Sequence, residues 1–203
     1  MQRIISEFRF IVVFTAAFTL SSFLFSFLSW GLVIPRPPGI PQLENDFTGL
    51  LVHMGIHAAL GALAALPTRR ASFILTVSLC AMLIDVDHIG SFLGLPMVGR
   101  ANHSVLFALV APLIISMLSY KGFLGKNITP MVAGSLALAS VLAHISFDII
   151  SGDPVISIWS PFTATPVTIP YFAGILLEIF AFLIVWLTIK RWNREGGAKE
   201  IPI

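Results

Sequence analysis

The chain has 203 residues, of which 57% are hydrophobic and only 11% charged, and its formal net charge is +2. With a mean hydropathy of +0.93, this composition excludes a soluble globular domain and describes a polytopic membrane protein. About six spans of roughly 20 residues would use up the length, so any chemistry belongs to the helices and their short loops.

In chain order, apolar segments fall at about 10–34, 48–66, 71–94, 103–119, 129–151 and 171–189. They predict an all-α membrane bundle of about six transmembrane helices. Arg3 and Arg9 precede the first segment as they would in a signal peptide. The apolar run that follows is longer than the 7–15 residues of a signal core and no small-x-small cleavage site closes it, so a retained anchor is expected. Pro35-Arg36-Pro37-Pro38-Gly39-Ile40-Pro41 is a stiff, extended linker. A second proline-rich stretch, from Pro154 to Pro170, carries Trp159 and Phe162 and no charge, as suits a segment lying on a membrane interface. Cys80, the single cysteine, sits inside an apolar run and excludes an internal disulfide.

Counted on alternate sides, Arg3, Arg9, Arg69, Arg70, Lys121, Lys126, Lys190, Arg191, Arg194 and Lys199 share one face, with only Arg36 and Arg100 on the other. The positive-inside rule then puts both termini in the cytoplasm of a multi-pass plasma (inner) membrane protein. Three regions are expected: 1–47, an anchor helix and outer Pro-rich linker; 48–190, a metal-site helical membrane domain; and 191–203, a cytoplasmic basic tail.

The polar residues of the apolar segments are unusual in kind. Each ionisable group in a membrane costs roughly 2.5–3.5 kcal/mol unless it is paired or bound to a metal, yet His53, His57, Asp85, Asp87, His88, His103, His144 and Asp148 all lie in or at the ends of such segments. On the topology above they converge on the outer half of the bilayer, with His53 and His57 roughly 9–15 Å deep at 1.5 Å per residue. His53 with His57 and His144 with Asp148 are spaced i, i+4, and Asp85 with His88 i, i+3, so each helix can aim two donors at one point. In a continuous helix Asp87 points away from Asp85, unless the helix loosens toward Gly90. We expect His57, Asp85, Asp87, His88, His103, His144 and Asp148 as metal ligands, with His53 as an orienting or packed histidine. A mixed nitrogen and oxygen set suits zinc first, and also manganese or iron, with one to three ions.

Further groups stand near this level. Glu178, in the last segment, is a candidate acid or base, or an interhelical hydrogen-bonding group. Arg100 can hold a substrate phosphate, or simply face lipid headgroups. His103 follows Asn102 and precedes Ser104, either of which can cap the helix that starts there.

In these residues the chain resembles the membrane-bound metal-dependent hydrolases of the YdjM type, LexA-regulated inner-membrane proteins. The matching features are His57 with Ala58, Ala59 and Gly61; Asp85-Val86-Asp87; Asn102-His103-Ser104, where the family carries Thr-His-Ser; His144 with Asp148; and Gly152 with Trp159 and Pro161. The resemblance spans about residues 50–165. In turn it implies a distant likeness to zinc-dependent phospholipase C, with His57, Asp85, His103, His144 and Asp148 in its metal cage. On that likeness a metal-activated water attacks a phosphoester of a lipid or lipid-linked substrate at the extracytoplasmic face. Asp85 or Asp87 is the expected base, Arg100 and Glu178 are the expected further catalytic groups, and no nucleic-acid partner is expected. Two other readings of the same residues stand beside this one. A divalent-cation or proton-coupled transporter uses intramembrane His and Asp as well, and a structural metal site would fix the bundle without catalysis.

Overall fold

The computed structural model describes residues 2–29, 47–86, 101–151, 155–156, 159–160, 162 and 167–195. Six α-helices account for most of these: α1 (Gln2–Ser29), α2 (Phe47–Ala65), α3 (Ala71–Leu83), α4 (Val105–Tyr120), α5 (Pro130–Ile150) and α6 (Tyr171–Arg194). Single 3-10 turns, Leu66–Thr68 and Ala101–His103, precede α3 and α4. The proline-rich stretch before α6 also forms a two-residue antiparallel ladder, β1 (Val155–Ile156) with β2 (Val167–Thr168), in the register Val155 to Thr168 and Ile156 to Val167.

Four of the helices are long and apolar enough to cross a membrane: Ile4–Ser29, Leu51–Thr68, Pro130–Ile150 and Tyr171–Arg194. Of the six expected spans, the other two correspond among the described residues to shorter apolar helices, α3 with 13 residues and α4 with 16. At 1.5 Å per residue these reach only about 20 and 24 Å, short of a hydrocarbon core of roughly 30 Å. In the expected third segment, 71–94, α3 stops at Leu83, and the carbonyl of Ile84 accepts from the side chains of Ser22 and Asn102. The part of that segment beyond residue 86 lies outside the described residues.

Helix starts are locally encoded. Thr129 caps α5 by accepting from Val132 N (3.3 Å), with Pro130 in the first turn. Ser104 caps α4 by accepting from Phe107 N (3.2 Å). Of the two expected caps before α4, Ser104 takes the role and leaves the Asn102 side chain free for another.

The fold is organised around α5. In its apolar stretch 83% of the residues are buried, against 22–28% in the other long apolar helices, and it packs against α2, α3, α4 and α6. Small residues set how closely the helices approach, as expected where van der Waals packing rather than water drives association. A Cβ on Gly61 of α2 would lie 2.7 Å from the Val77 carbonyl oxygen of α3, and one on Gly174 of α6 would lie 2.6 Å from the Ser146 carbonyl oxygen of α5. Because both obstacles are backbone, Gly61→Val and Gly174→Val must push helices apart. Each is expected to destabilise by about 1–3 kcal/mol, seen as an earlier thermal transition of the detergent-solubilised protein by circular dichroism.

The helix α1 lies on the outside of this arrangement, against α3, α4 and the Ala101–His103 turn. Its contact stripe is Phe10, Phe14, Phe18, Ser22 and Ser26, all buried and four residues apart. Phe10 packs on Phe73 (5.2 Å between ring centroids) and Phe18 on Phe107 (6.0 Å), and the stripe then turns from aromatic to hydroxyl at Ser22. At one end of the bundle, the guanidinium of Arg70 lies 4.4 Å from the Trp192 ring centroid and ties the α2–α3 connection to the end of α6. The histidines and aspartates gather at the other end, near the start of α2, the end of α3, the start of α4 and the end of α5.

Candidate metal centre

Four helices contribute to one cluster: His53 and His57 from α2, Asp85 just past α3, His103 just before α4, and His144 with Asp148 from α5. His57, His103, His144 and Asp148 are buried. His53 and Asp85 form the open edge, with side chains 35% and 16% exposed.

Two hydrogen bonds fix what the inner imidazoles can do. His144 Nδ1 lies 2.7 Å from the Ala81 carbonyl oxygen, which can only accept, so Nδ1 carries the proton. The Asn102 amide is oriented by the same reasoning. Its Nδ2 faces the Ile84 carbonyl oxygen and so donates to it, which leaves Oδ1 to accept from His103 Nδ1 (2.9 Å). In their neutral forms both rings therefore present a bare Nε2 lone pair, and these two atoms face each other at 2.8 Å. Asp148 Oδ2 lies 2.9 Å from His103 Nε2 yet has no hydrogen-bond donor among the described residues. Acceptors this close and this buried need a proton or a metal ion between them.

The cluster divides into halves. His103 and His144 form one pair; His53 and His57 form the other, with Nε2 atoms 2.9 Å apart. Both carboxylates span the two. Asp85 turns Oδ1 toward His103 and His144 (3.5 and 3.4 Å) and Oδ2 toward His53 and His57 (3.8 Å each). Asp148 turns Oδ1 toward His57 (3.4 Å) and Oδ2 toward His103 and His144 (2.9 and 3.5 Å). The rings of His57 and His144 stack at 3.8 Å across the middle, and Phe147 closes an apolar side, edge-on to His57 at 4.8 Å. Three overlapping sets of one-atom-per-residue ligands result: His53, His57 and Asp85; His57, His144 and Asp148; Asp85, His103 and His144. This buried cluster can hold a metal ion.

A family model for the YdjM inner membrane protein matches residues 48–201. The chain belongs to the YdjM inner membrane protein family. No curated protein and no solved structure matches it. The matched region holds all six clustered residues, whereas α1 precedes it.

Of the ligands expected from sequence, the fold brings together His57, Asp85, His103, His144 and Asp148. Asp87, His88 and Arg100 lie outside the described residues. His53, expected to orient or pack more than to ligate, stands within one of the candidate ligand sets; its i, i+4 spacing from His57 was the available signal. Asn102, read as a cap, proves to be the group that sets the His103 ring. Glu178 is buried on α6 but belongs to none of the three sets, and neither carboxylate oxygen has a hydrogen-bond partner among the described residues. Glu178→Gln is therefore expected to leave the metal content unchanged, as checked by elemental mass spectrometry.

Beside the cluster, an apolar cleft of about 580 Å³ runs between α4, α5 and α6. His103 and Ser104 lie at its polar end, and Leu142, Ile149, Leu177 and Phe180 are among its apolar walls.

Proposed function

We propose that this YdjM-family chain is a multi-pass, metal-dependent hydrolase at the outer face of the inner membrane, cleaving a phosphoester of a lipid or lipid-linked substrate. Both termini lie in the cytoplasm. Residues 1–47 serve as anchor and linker, 48–190 as the metal-site domain and 191–203 as a basic tail. The observation that carries this reading is the facing pair of bare Nε2 atoms on His103 and His144, 2.8 Å apart and flanked by both aspartates.

His53, His57, His103 and His144, with Asp85 and Asp148, would hold the metal, zinc first, while manganese or iron suits the same donors. Such ions supply Lewis acidity, lowering the pKa of water and drawing charge from a phosphoryl oxygen. Two divalent cations and two carboxylates leave a net charge of about +2 with neutral imidazoles, which favours an anionic substrate. Asp85, on the open edge, or Asp87 would be the base that takes a proton from the attacking water, and His88 would be a further ligand. Arg100 grips the phosphate. Glu178 is a further acid or base, and Glu178→Gln should then lower turnover while sparing metal.

Two features support a lipid substrate and an open, working site. The apolar cleft ending at His103 suits an acyl or isoprenoid chain, which would bring the phosphate to the polar end. The partly exposed edge at His53 and Asp85 leaves a way in, unlike the closed ligand set of a structural site. A transport path would need titratable groups deeper in the bundle. Beyond the cluster, buried Thr76, Ser135 and Ser140 are hydroxyls bonded to carbonyls of their own helices.

The test is release of phosphate from phosphomonoester lipids, and of the phosphorylated headgroup or the lipid alcohol from phosphodiester lipids, in mixed micelles. Hydrolysis is expected to stop on chelation and return with zinc or manganese. Metal-loaded protein inactive on the whole panel would overturn the hydrolase.

A further inference from the structure

The contact stripe of α1 places a serine where its neighbours place phenylalanines, and that serine meets two parts of the metal centre at once. Ser22 Oγ donates to the Ile84 carbonyl oxygen (2.9 Å), one residue before Asp85. It also accepts from Asn102 Nδ2 (2.8 Å), one residue before His103. The second Nδ2 proton goes to the same Ile84 carbonyl, and Asn102 Oδ1 accepts from His103 Nδ1. Ser22, Ile84 and Asn102 are each fully buried.

Every polar atom of this knot has a partner of the right kind. The hydroxyl has one proton and uses it on Ile84; the amide has two and uses both; the carbonyl accepts twice. Reversing the amide would put Oδ1 against a carbonyl and a hydroxyl already committed as a donor elsewhere, and would set a donor against His103 Nδ1. Such a closed network has one low-energy arrangement. It determines which His103 nitrogen is bare and, through the Ile84 backbone, where Asp85 begins.

We propose that Ser22 of α1 is a positioning residue for the metal centre: its hydroxyl locks Asn102 so that His103 presents Nε2, and holds Asp85 in register with His103. This rests on the metal-site reading above. It makes α1, which precedes the family-matched region, part of the centre rather than only an anchor.

The test uses the full-length, detergent-purified protein loaded with cobalt(II), with affinity read by chelator competition and ligand geometry by the visible absorption spectrum. Outer-layer partners of metal-binding histidines contribute about 10–100-fold in affinity. Asn102→Ala is expected to weaken cobalt binding in that range. Ser22→Ala, one bond further out, should weaken it about tenfold, and both should alter the visible bands. In the Asn102→Ala background the Ser22→Ala change should add less than it does alone. Ser21→Ala, which loses only a bond to Ala17 of its own helix, should match wild type. S22C, close in shape with a weaker donor, gives the same reading where S22A is not recovered folded.

A Ser22 variant with lower thermal stability but wild-type cobalt affinity and spectrum would overturn the positioning role while leaving the metal site standing. Failure of the wild type to bind cobalt or zinc would overturn both.

Discussion

Purified wild-type protein should carry stoichiometric zinc, manganese or iron, and His144→Ala and Asp148→Ala should each carry almost none. Elemental mass spectrometry on protein eluting as a folded species reads the difference directly. The effect is expected to be large because both residues make several contacts at the centre of the cluster. His144 belongs to two of the three ligand sets, and Asp148 contacts His57 with one oxygen and His103 and His144 with the other. Removing Asp148 opens both halves of the cluster, and removing His144 takes a donor from two of the three ligand sets. Substitution of His53 should do less, since it lies on the exposed edge in one set only. Wild-type protein without metal under any loading condition would remove the metal site and, with it, the hydrolase.

Asp148→Ala has a second consequence for the apoprotein. The two bare Nε2 atoms of His103 and His144 lie 2.8 Å apart and need positive charge between them. Without metal that charge is a proton, and the nearby carboxylate is its counter-ion. Breaking a buried ionic arrangement by removing one partner costs about 3–5 kcal/mol, so this variant should melt earlier even in chelator.

Much of the centre was legible along the chain because helices translate spacing into direction. The i, i+4 pairs, His53 with His57 and His144 with Asp148, each had to share a face. That Asp85 and His103 would meet these pairs could be expected from a common depth but not deduced from spacing, because the contact is made between α3 and α4, across residues 87–100. The proton positions were hidden for another reason. They depend on the Ala81 and Ile84 carbonyls, and backbone atoms carry no residue identity to read. Asn102 illustrates the limit: as a residue type it suits a helix cap, and only the neighbouring Ser104 in that role, with Ser22 reaching in from α1, reveals its other use. The break of the third segment at Leu83 has the same origin. Hydropathy sees a continuous apolar run through residue 94, whereas α3 ends where side chains capture the Ile84 carbonyl.

Sidedness is the remaining large effect, and it is all-or-none. Cys80 is the single cysteine and is fully buried, so replacing it with alanine gives a background silent to thiol reagents. Trp159, between α5 and α6, is 61% exposed at the cluster end of the bundle. Lys121, just past α4, is exposed at the other. In intact cells a membrane-impermeant maleimide should label Trp159→Cys nearly completely and leave Lys121→Cys untouched; permeabilisation should make Lys121→Cys reactive. That pattern follows from the basic residues alone. Arg69, Arg70, Lys121 and Lys126 lie in the two connections remote from the cluster, and basic loops stay cytoplasmic. The contact of Arg70 with Trp192 brings the basic end of α6 to the same side. The reverse labelling pattern would turn the bundle over and put the metal centre on the cytoplasmic side, where a substrate of the outer leaflet could not reach it.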